Sequence, residues 1–483
     1  MAASVVGEGA GAAGRPDFIV DIPPYRRAER EYALGVLLGE WLGRTFEVHV
    51  LADLTETRIR LSDGPPGVEI VLPDVLLAET SGWLSQASLP RAPLDPVVLP
   101  VWTGIEESVP LLYSTGDGSD DILGVDGGRH VLRLDLLGSL VFMLTRYEEY
   151  VDATRRDARD RFPASASVLS PSGWLQWPIL DMYLELFVAL ISRAWPDSRI
   201  VPPPGDGLIV GHDVDHPSSA RLYPRLGNRL HVLAGDVTKR RDLSLAVRRL
   251  TTYLPGRQML SRSDPLNTFD FLMSASEARG LRSRFFFLTM DTEVPDGSRY
   301  RLDEPWAPRL MARIAERGHS IGLHGSYNSY ADAGRLRAEW DLLEAAAGDL
   351  PGGALQRMVR QHFLRFRPGV TWNAQAEAGL TVDESLGFAD DVGYRAGTAR
   401  SFPAFDLNQG RQLAIRIKPL HVMDATLLQY LSIGEDQAYA TVAAMSRRTR
   451  TYGGSFSFLW HNSSLVTSAQ RRLYLRLLDL LAD

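Results

Sequence analysis

From residue 208 to the C-terminus, short apolar runs alternate with segments whose apolar residues recur at helical spacing, which limits the folds open to the chain. Leu336, Trp340 and Leu343, for example, share one helical face and are followed by Gly348, a helix stop. Such alternation favours parallel strands joined by crossover helices, either in a barrel or in an open doubly wound sheet. The predicted strands are residues 208–210, 285–288, 321–323, 358–359, 413–420 and 456–460.

The first part of the chain lacks this rhythm and is predicted to be a mixed α/β region. Its extended runs lie at residues 46–51 and 68–72, and its helical patterns lie at residues 28–41, 134–150 and 179–195. The densest helix-breaking cluster, Pro202-Pro203-Pro204-Gly205, follows soon afterwards. At ~150 residues per domain, 483 residues allow two or three domains. We predict a flexible N-terminus at 1–17, a mixed α/β accessory domain at 18–203 and an α/β domain at 204–483.

Composition excludes several classes of protein and of site. The chain contains no cysteine, so any metal must be held by His, Asp, Glu or Asn. The formal charge of −7, from 52 basic and 59 acidic residues, argues against nucleic acid as a partner. No apolar stretch reaches the ~20 residues that span a bilayer, and the first eighteen residues lack the basic and apolar regions of a signal peptide. We therefore expect a cytoplasmic protein without a membrane span.

Ionisable side chains follow four of the predicted strands. In chain order they are His212, Asp213 and Asp215, then His324, then Arg360 and His362, and finally His461. Reacting groups in both candidate architectures lie at the carboxyl ends of parallel strands. The four strand ends therefore predict one site at that edge of the sheet.

Asp213 and Asp215 are expected to point into this site together. Alternate side chains of extended backbone share a face, so His212 and Val214 would point away. One carboxylate would then hold a cation while its neighbour acts as a base. The alternative is a solvated turn in which Asp215 only caps a helix.

The remaining candidates also have two interpretations each. His324 fits a metal ligand, with the amide of Asn328 within reach of the same ion if the turn between them is helical; alone, such a histidine belongs to the core. His461 suits a general acid because an imidazole with a pKa near ~6.5 donates a proton at neutral pH, whereas a structural hydrogen bond is the alternative. Arg360 would clamp a carboxylate or pair with a surface acid.

These segments carry a resemblance to a known family. The order HDVD, GHSIGLHGSYNS, VRQHFLRF and FLWHN, spread over residues 208–483, resembles the NodB-like polysaccharide deacetylases, carbohydrate esterase family 4. Residues 144–150 and 161–163 resemble an uncharacterised accessory domain that precedes this catalytic domain in a bacterial subgroup. The resemblance implies a distorted, partly open (β/α) barrel for 204–483. It also implies a divalent metal, usually zinc with cobalt or nickel as alternatives, and removal of acetyl from an N-acetylated sugar.

The resemblance also implies roles for individual residues. Asp213 matches the base that activates water, and Asp215 and His324 match metal ligands. Arg360 matches the arginine that orients the base, and His461 matches the histidine that protonates the leaving amine. Asp383 is similar to the acid that tunes this histidine.

One position departs from the family pattern, because Asn328 stands where the second metal histidine is expected. Three outcomes are open: Asn328 binds the metal through its amide oxygen, His362 or His212 replaces it from another strand, or the metal and hydrolysis are both lost. We favour a retained metal, since the other matched residues remain together.

The substrate is expected to be a small molecule or a glycan. Tyr327 and Trp460 lie near the motifs, as a sugar-stacking cleft requires, and Arg395 lies in a polar segment suited to a substrate loop; these side chains fit a core equally well. We predict a metal-dependent hydrolase of an amide bond, acting by N-deacetylation of a sugar or glycan precursor. The alternatives are a deacylase for a non-sugar biosynthetic intermediate and a metal-free carbohydrate-binding protein.

Overall fold

Two large β-sheets, one in each half of the chain, organise the described residues. The computed structural model describes residues 15–78, 81–115, 122–223, 225–253, 259–289, 297 and 300–482. Residues 1–14 of the predicted flexible N-terminus lie outside this set. In the part of the chain that is described, no helix is both long enough and apolar enough to cross a membrane.

The first half carries a mixed sheet whose described strands run in the order β2-β1-β3-β4-β8-β7, beside a small β5-β6 ladder. The strands are β1 (Phe18–Ile22), β2 (Phe46–Val50), β3 (Glu56–Leu61), β4 (Glu69–Pro73), β5 (Pro96–Val97), β6 (Val109–Pro110), β7 (Leu123–Asp126) and β8 (Arg129–Leu132). The helices are α1 (Arg27–Leu34), α2 (Leu136–Leu144), α3 (Tyr147–Val151) and α4 (Ile179–Ala194). The β1–β2 and β4–β8 pairs are parallel, and the other pairs are antiparallel.

The second half carries the larger sheet, ordered β14-β15-β13-β12-β11-β10-β9-β17-β16 in the described residues. Its strands are β9 (Leu208–Val214), β10 (Ser283–Phe287), β11 (Ser320–Gly325), β12 (Leu355–Gln361), β13 (Val382–Asp383), β14 (Phe402–Asp406), β15 (Arg411–Ile417), β16 (Val422–Met423) and β17 (Phe456–Leu459). The helices are α5 (Ser219–Leu222), α6 (Leu226–Thr238), α7 (Leu243–Thr252), α8 (Phe269–Glu277), α9 (Trp306–Glu316), α10 (Ala333–Ala347), α11 (Thr371–Glu377), α12 (Glu435–Tyr452) and α13 (Ser468–Ala482).

Most neighbours in this larger sheet are parallel, and most follow one another in chain order. Strands β9 to β13 follow one another across the sheet and continue to β15, while β17 returns to pair with the opposite edge of β9. Among the described strands of this larger sheet, only β14 runs antiparallel to its neighbour. Because the carboxyl ends of parallel strands share one edge, residues distant in sequence meet there. The protein is thus a mixed α/β protein with a large, mostly parallel sheet.

Several predicted elements are altered by local backbone geometry. The predicted strand at 208–210 extends to Val214, so that Asp213 belongs to β9 itself. The predicted helix at 134–150 is two helices, because Arg146 between α2 and α3 has a left-handed φ of 59°. The predicted helix at 28–41 changes from α to π geometry at Gly35–Trp41.

One apolar core crosses the predicted boundary at residue 203. Buried residues of the first sheet and of α1, α2 and α4 pack against side chains between residues 366 and 417. The Tyr32 ring lies 4.6 Å from that of Phe405, and its hydroxyl donates to the Pro403 carbonyl at 2.9 Å. A second apolar cluster lies wholly within residues 210–481. The domain division stays a prediction, and the two halves share a packed interface.

A buried ionic cluster also joins the halves. The Glu149 carboxylate accepts hydrogen bonds at 2.9 Å from both Arg146 and Arg395 and a further one at 2.7 Å from Arg395, and all three side chains are almost fully buried. Arg146 also pairs with Glu148 at 2.5 Å. Since charges can be buried only when they are paired, this cluster ties α3 to the segment after β13.

Candidate active site

The candidate active site lies where β9, β11, β12 and β17 end. Asp213 and Asp215 come from the end of β9, and His324 comes from β11. His362 follows β12, and His461 follows β17 by two residues. The side chains that the sequence placed at the carboxyl ends of separate strands therefore lie together in the structure.

Arg360 holds Asp213 in this site. Its Nη1 donates to Asp213 Oδ1 at 2.8 Å, and its Nη2 donates to Glu384 Oε2 at 2.9 Å. A Cβ on Gly211 would lie 2.6 Å from the guanidinium, so the absence of a side chain on β9 lets Arg360 reach the carboxylate. Burial alone would raise the pKa of Asp213, but the Arg360 charge holds it below its usual value. Asp213 is therefore ionised and able to accept a proton.

Asp215, His324 and His362 form a group that could hold a metal ion, with their ligand atoms all within 4.8 Å of one another. His324 Nε2 lies 3.2 Å from Asp215 Oδ1, and His362 Nε2 lies 3.6 Å from Asp215 Oδ2. The Nδ1 atom of His324 is 2.7 Å from the Arg360 carbonyl oxygen. Because a carbonyl can only accept, Nδ1 carries the proton and Nε2 presents its lone pair to the group.

The polar atoms of this group fit a cation. Among the described residues, Asp215 Oδ1 and His324 Nε2 are buried without a hydrogen-bonding partner of good geometry. Burial would raise the pKa of Asp215, but the neighbouring His362 charge holds it well below its usual value. A partly buried carboxylate facing two buried imidazoles is a nitrogen and oxygen donor set suited to zinc and neighbouring divalent ions.

His362 is positioned by an unusual turn. The Phe363 ring stacks on the His362 ring, with centroids 4.1 Å apart and planes 20° from parallel. Phe363 and Leu364 both have left-handed backbone, with φ of 62° and 56°. Such conformations cost ~1–3 kcal/mol each and persist where packing imposes them, often at functional sites.

His461 has a carboxylate partner that the sequence analysis did not identify. Its Nδ1 lies 2.6 Å from Oδ1 of Asp424, the residue after β16, and its Nε2 lies 3.6 Å from Asp215 Oδ2. Burial would lower the pKa of His461, but Asp424 raises it to about 10. His461 is therefore protonated at neutral pH and faces the same group of side chains.

Asp383 does not occupy the position expected for it. Its carboxylate accepts hydrogen bonds from Trp372 at 3.1 Å, Gln375 at 3.2 Å and the Ser385 backbone at 3.1 Å, all inside the protein. Asp383 ends β13, which four other strands separate from β17, whereas Asp424 directly follows β16, the strand beside β17. The structure thus gives the role of His461 partner to Asp424.

Asn328 also lies apart from the metal-binding group. It is exposed, and its Oδ1 faces Arg365 Nη1 at 3.4 Å. Asn328 directly precedes the short helical turn Ser329–Ala331 and is not among the residues that line the cavity over that group. Of the alternatives left open by the sequence, the structure brings His362 to the group.

The other suggested site residues do not line the cavity that opens over this group. His212 is buried, bonds the Trp460 carbonyl through Nδ1 at 2.8 Å, and points away from the site as the alternation predicts. Trp460 packs in the core against Phe458 and Tyr474. Arg395 is buried against Glu149, and Tyr327 stacks at the edge of Phe363 outside the cavity. Trp460 and Arg395 are thus buried inside the protein, in line with the alternative that the sequence left open for them.

A cavity of about 250 Å³ opens over these residues. The lining includes Asp213, Asp215, His324, His362 and His461. It also includes Arg159 and Arg161 from the first half of the chain, which the sequence analysis did not connect with the site. Their contribution depends on the interface between halves, for which a single sequence carries no signal.

Comparison with known proteins gives distant similarities. Residues 19–196 match a family of unknown function, DUF7033. No curated protein matches the chain.

Solved structures with distant similarity include two proteins described as polysaccharide deacetylases and one allantoinase. A putative polysaccharide deacetylase from Mycobacterium smegmatis is 15% identical, with 58% of this chain and 85% of that chain covered and a TM-score of 0.36. Puue allantoinase is 14% identical over 56% and 83%, with a TM-score of 0.33. A probable polysaccharide deacetylase from Pseudomonas aeruginosa PAO1 is 15% identical over 47% and 72%, with a TM-score of 0.30.

Proposed function

We propose that the protein is a metal-dependent hydrolase of a carbon–nitrogen amide bond, and that it removes acetyl from an N-acetylated sugar or glycan precursor. The observation that carries the proposal is one cavity lined by an ionised Asp213, a protonated His461 and the Asp215, His324 and His362 group. A base and an acid whose environments move their pKa values in opposite directions are the pair that general acid–base catalysis requires.

Asp215, His324 and His362 would hold the metal. Without cysteine in the chain, the donors are nitrogen and oxygen, which suits zinc, with cobalt or nickel as alternatives. A bound divalent ion would polarise the acyl oxygen and lower the pKa of a bound water toward ~7.

The proton transfers fall to the chain's own residues. Asp213 takes a proton from the attacking water as the new carbon–oxygen bond forms, and Arg360 keeps this carboxylate oriented. His461 gives its proton to the departing nitrogen as the carbon–nitrogen bond breaks, and Asp424 holds the imidazole in place. The products are a carboxylic acid and an amine, and the two protons balance.

We further propose that residues 204–483 form the catalytic domain as a partly open (β/α) barrel. The strand order supports this, because β17 pairs with β9 and continues the parallel sheet, while the edge strands β14 and β16 leave it open. Residues 18–203 would form the accessory domain that packs against it.

The experiment is acetate release from N-acetylated sugars by the zinc-loaded protein, with Asp213→Asn as the matched variant. We expect release by the wild type and a loss of ~10²–10⁴-fold in the variant, since a positioned base contributes about that factor. Release only from non-sugar N-acyl compounds would favour the deacylase alternative. A purified protein that binds no divalent metal would overturn the proposal in favour of a carbohydrate-binding protein.

A further inference from the structure

A loop of the first half, residues 157–161, reaches into the candidate active site. The Arg159 guanidinium lies 4.0 Å from the centroid of the Phe363 ring, and Phe363 in turn stacks on His362. Arg159 therefore sits one aromatic ring away from a proposed metal ligand and lines the same cavity as Asp213 and His461.

Other charged groups of this loop are already paired. Arg161 binds Asp157 at 2.7 Å and donates to the Tyr430 hydroxyl at 3.0 Å and the Phe363 carbonyl at 3.3 Å. Asp160 binds Arg365 at 2.8 Å and Arg367 at 2.9 Å. These contacts fix the loop against the second half.

Arg159 differs from its neighbours in the loop. Within the described residues, its half-buried guanidinium stacks on Phe363 but has neither a carboxylate partner nor a hydrogen-bond acceptor. The acids that line the cavity are otherwise engaged, Asp213 by Arg360 and Asp215 by the histidines. The guanidinium is positioned by the stacking contact, is partly desolvated and has no anionic partner in the part of the chain that is described. It can therefore bind an anionic ligand, because its planar N–H groups match two oxygens of an oxyacid.

We propose that Arg159 binds an anionic oxyacid group, a carboxylate or a phosphate, on the substrate whose amide bond is hydrolysed in this cavity. The inference rests on the proposed function and makes the first half of the chain part of the substrate site. At about 250 Å³, the cavity is smaller than the ~300–1,000 Å³ typical of drug-sized ligands, so the anionic group and the amide belong to one compact unit.

The first experiment compares three sugars that differ at one carbon: N-acetylglucosamine, its 6-phosphate, and the corresponding uronic acid. Their affinities are measured by calorimetry with the zinc-loaded full chain carrying Asp213→Asn, which prevents turnover. We expect at least one anionic sugar to bind about tenfold or more tightly than the neutral one, as charge-assisted hydrogen bonds allow. The two anionic sugars distinguish carboxylate from phosphate.

Two substitutions locate this preference. Arg159→Gln is expected to abolish the preference for the anionic sugars, while Arg159→Lys, which keeps the charge, retains part of it. Arg155→Gln is the matched control, because Arg155 is an exposed arginine of the preceding turn that pairs with Asp152 and lies outside the cavity lining. An undiminished preference in Arg159→Gln, or an equal loss in Arg155→Gln, would overturn the proposal.

A second experiment separates this inference from the proposed function. Inorganic phosphate and acetate are titrated into the metal-free full chain, so that the result depends on neither hydrolysis nor sugar binding. We expect saturable binding of one anion by the wild type, weakened about tenfold or more by Arg159→Gln but not by Arg155→Gln. If the anion binds as expected but no acetate is released from any sugar, only the proposed function is refuted. If Arg159→Gln binds the anion as tightly as the wild type does, the anion site is refuted.

Discussion

The imidazole of His461 and the carboxylate of Asp424 form a hydrogen bond of 2.6 Å between the ends of two neighbouring strands. The backbone N–H of His461 also donates to the other Asp424 oxygen at 3.3 Å. This double contact fixes both the ring orientation and the nitrogen that faces the cavity.

Replacement of Asp424 by Asn is expected to lower kcat for amide hydrolysis by ~10²-fold or more, because His461 loses the carboxylate that orients it and keeps it protonated. Steady-state kinetics on the zinc-loaded protein measure the effect. Asp383→Asn is the comparison, since Asp383 is bonded to Trp372 and Gln375 instead, and its main effect should be on stability. A larger fall in kcat for Asp383→Asn than for Asp424→Asn would contradict the assignment.

Metal analysis tests the proposed ligand set. His362→Ala is expected to weaken zinc binding by at least ~10-fold, since even groups that only support a ligand contribute 10–100-fold. Asn328→Ala should leave the affinity unchanged, because Asn328 is exposed and faces Arg365. Zinc affinities from competition with a chelator give the answer, and the reverse pattern would restore Asn328 as the ligand.

The buried ionic cluster at the interface should contribute far more to the free energy of unfolding than an exposed ion pair across the same interface. Glu149→Gln removes the carboxylate that pairs with the buried Arg395 and one of the two carboxylates that pair with the buried Arg146, so we expect a loss of ~3–5 kcal/mol in the free energy of unfolding. Glu40→Gln breaks the partly exposed pair with Arg416, which also joins the halves, and should cost only ~0–1 kcal/mol. Urea denaturation measures both, and similar losses would show that burial does not govern this interface.

Asp181 should make stability depend on pH. Burial raises its pKa to about 7, while the same group in the unfolded chain titrates near ~3.9. Between these values the folded protein binds more protons than the unfolded chain, so this contribution to stability falls as pH rises from about 4 to about 7. Asp181→Asn removes the titration, and the wild type should therefore lose stability relative to the variant over this range. Parallel unfolding profiles for the two proteins would argue against the raised pKa.

The sequence predicted the position of a site residue where that position depends only on the end of one strand. Asp213, Asp215, His324 and His461 could be placed at one edge of the sheet because parallel strands end together. The alternation of side chains in β9 also predicted correctly that His212 faces away from the site.

Contacts that depend on the pairing of short or distant segments could not be predicted in this way. Asp424 follows a two-residue strand with almost no periodicity to detect, and Asp383, which ends another two-residue strand, was matched in its place. Arg159 reaches the cavity only because the two halves pack together. The contact partners are about 200 residues apart in sequence, as the hydrogen bond between Arg161 and Phe363 shows. A regular pattern cannot encode such contacts because they depend on tertiary packing.

The apolar core shared across residue 203 has a consequence for synthesis of the chain. The second-half side chains of this core lie mainly between residues 366 and 417. When residue 203 has been added, about 210 further residues must therefore be made before these side chains are all present. At ~5–20 residues per second, the first half would wait roughly 10–40 s with an apolar face uncovered. During that interval the nascent chain is a natural target for chaperones, and the first half produced alone would aggregate for want of its covering strands.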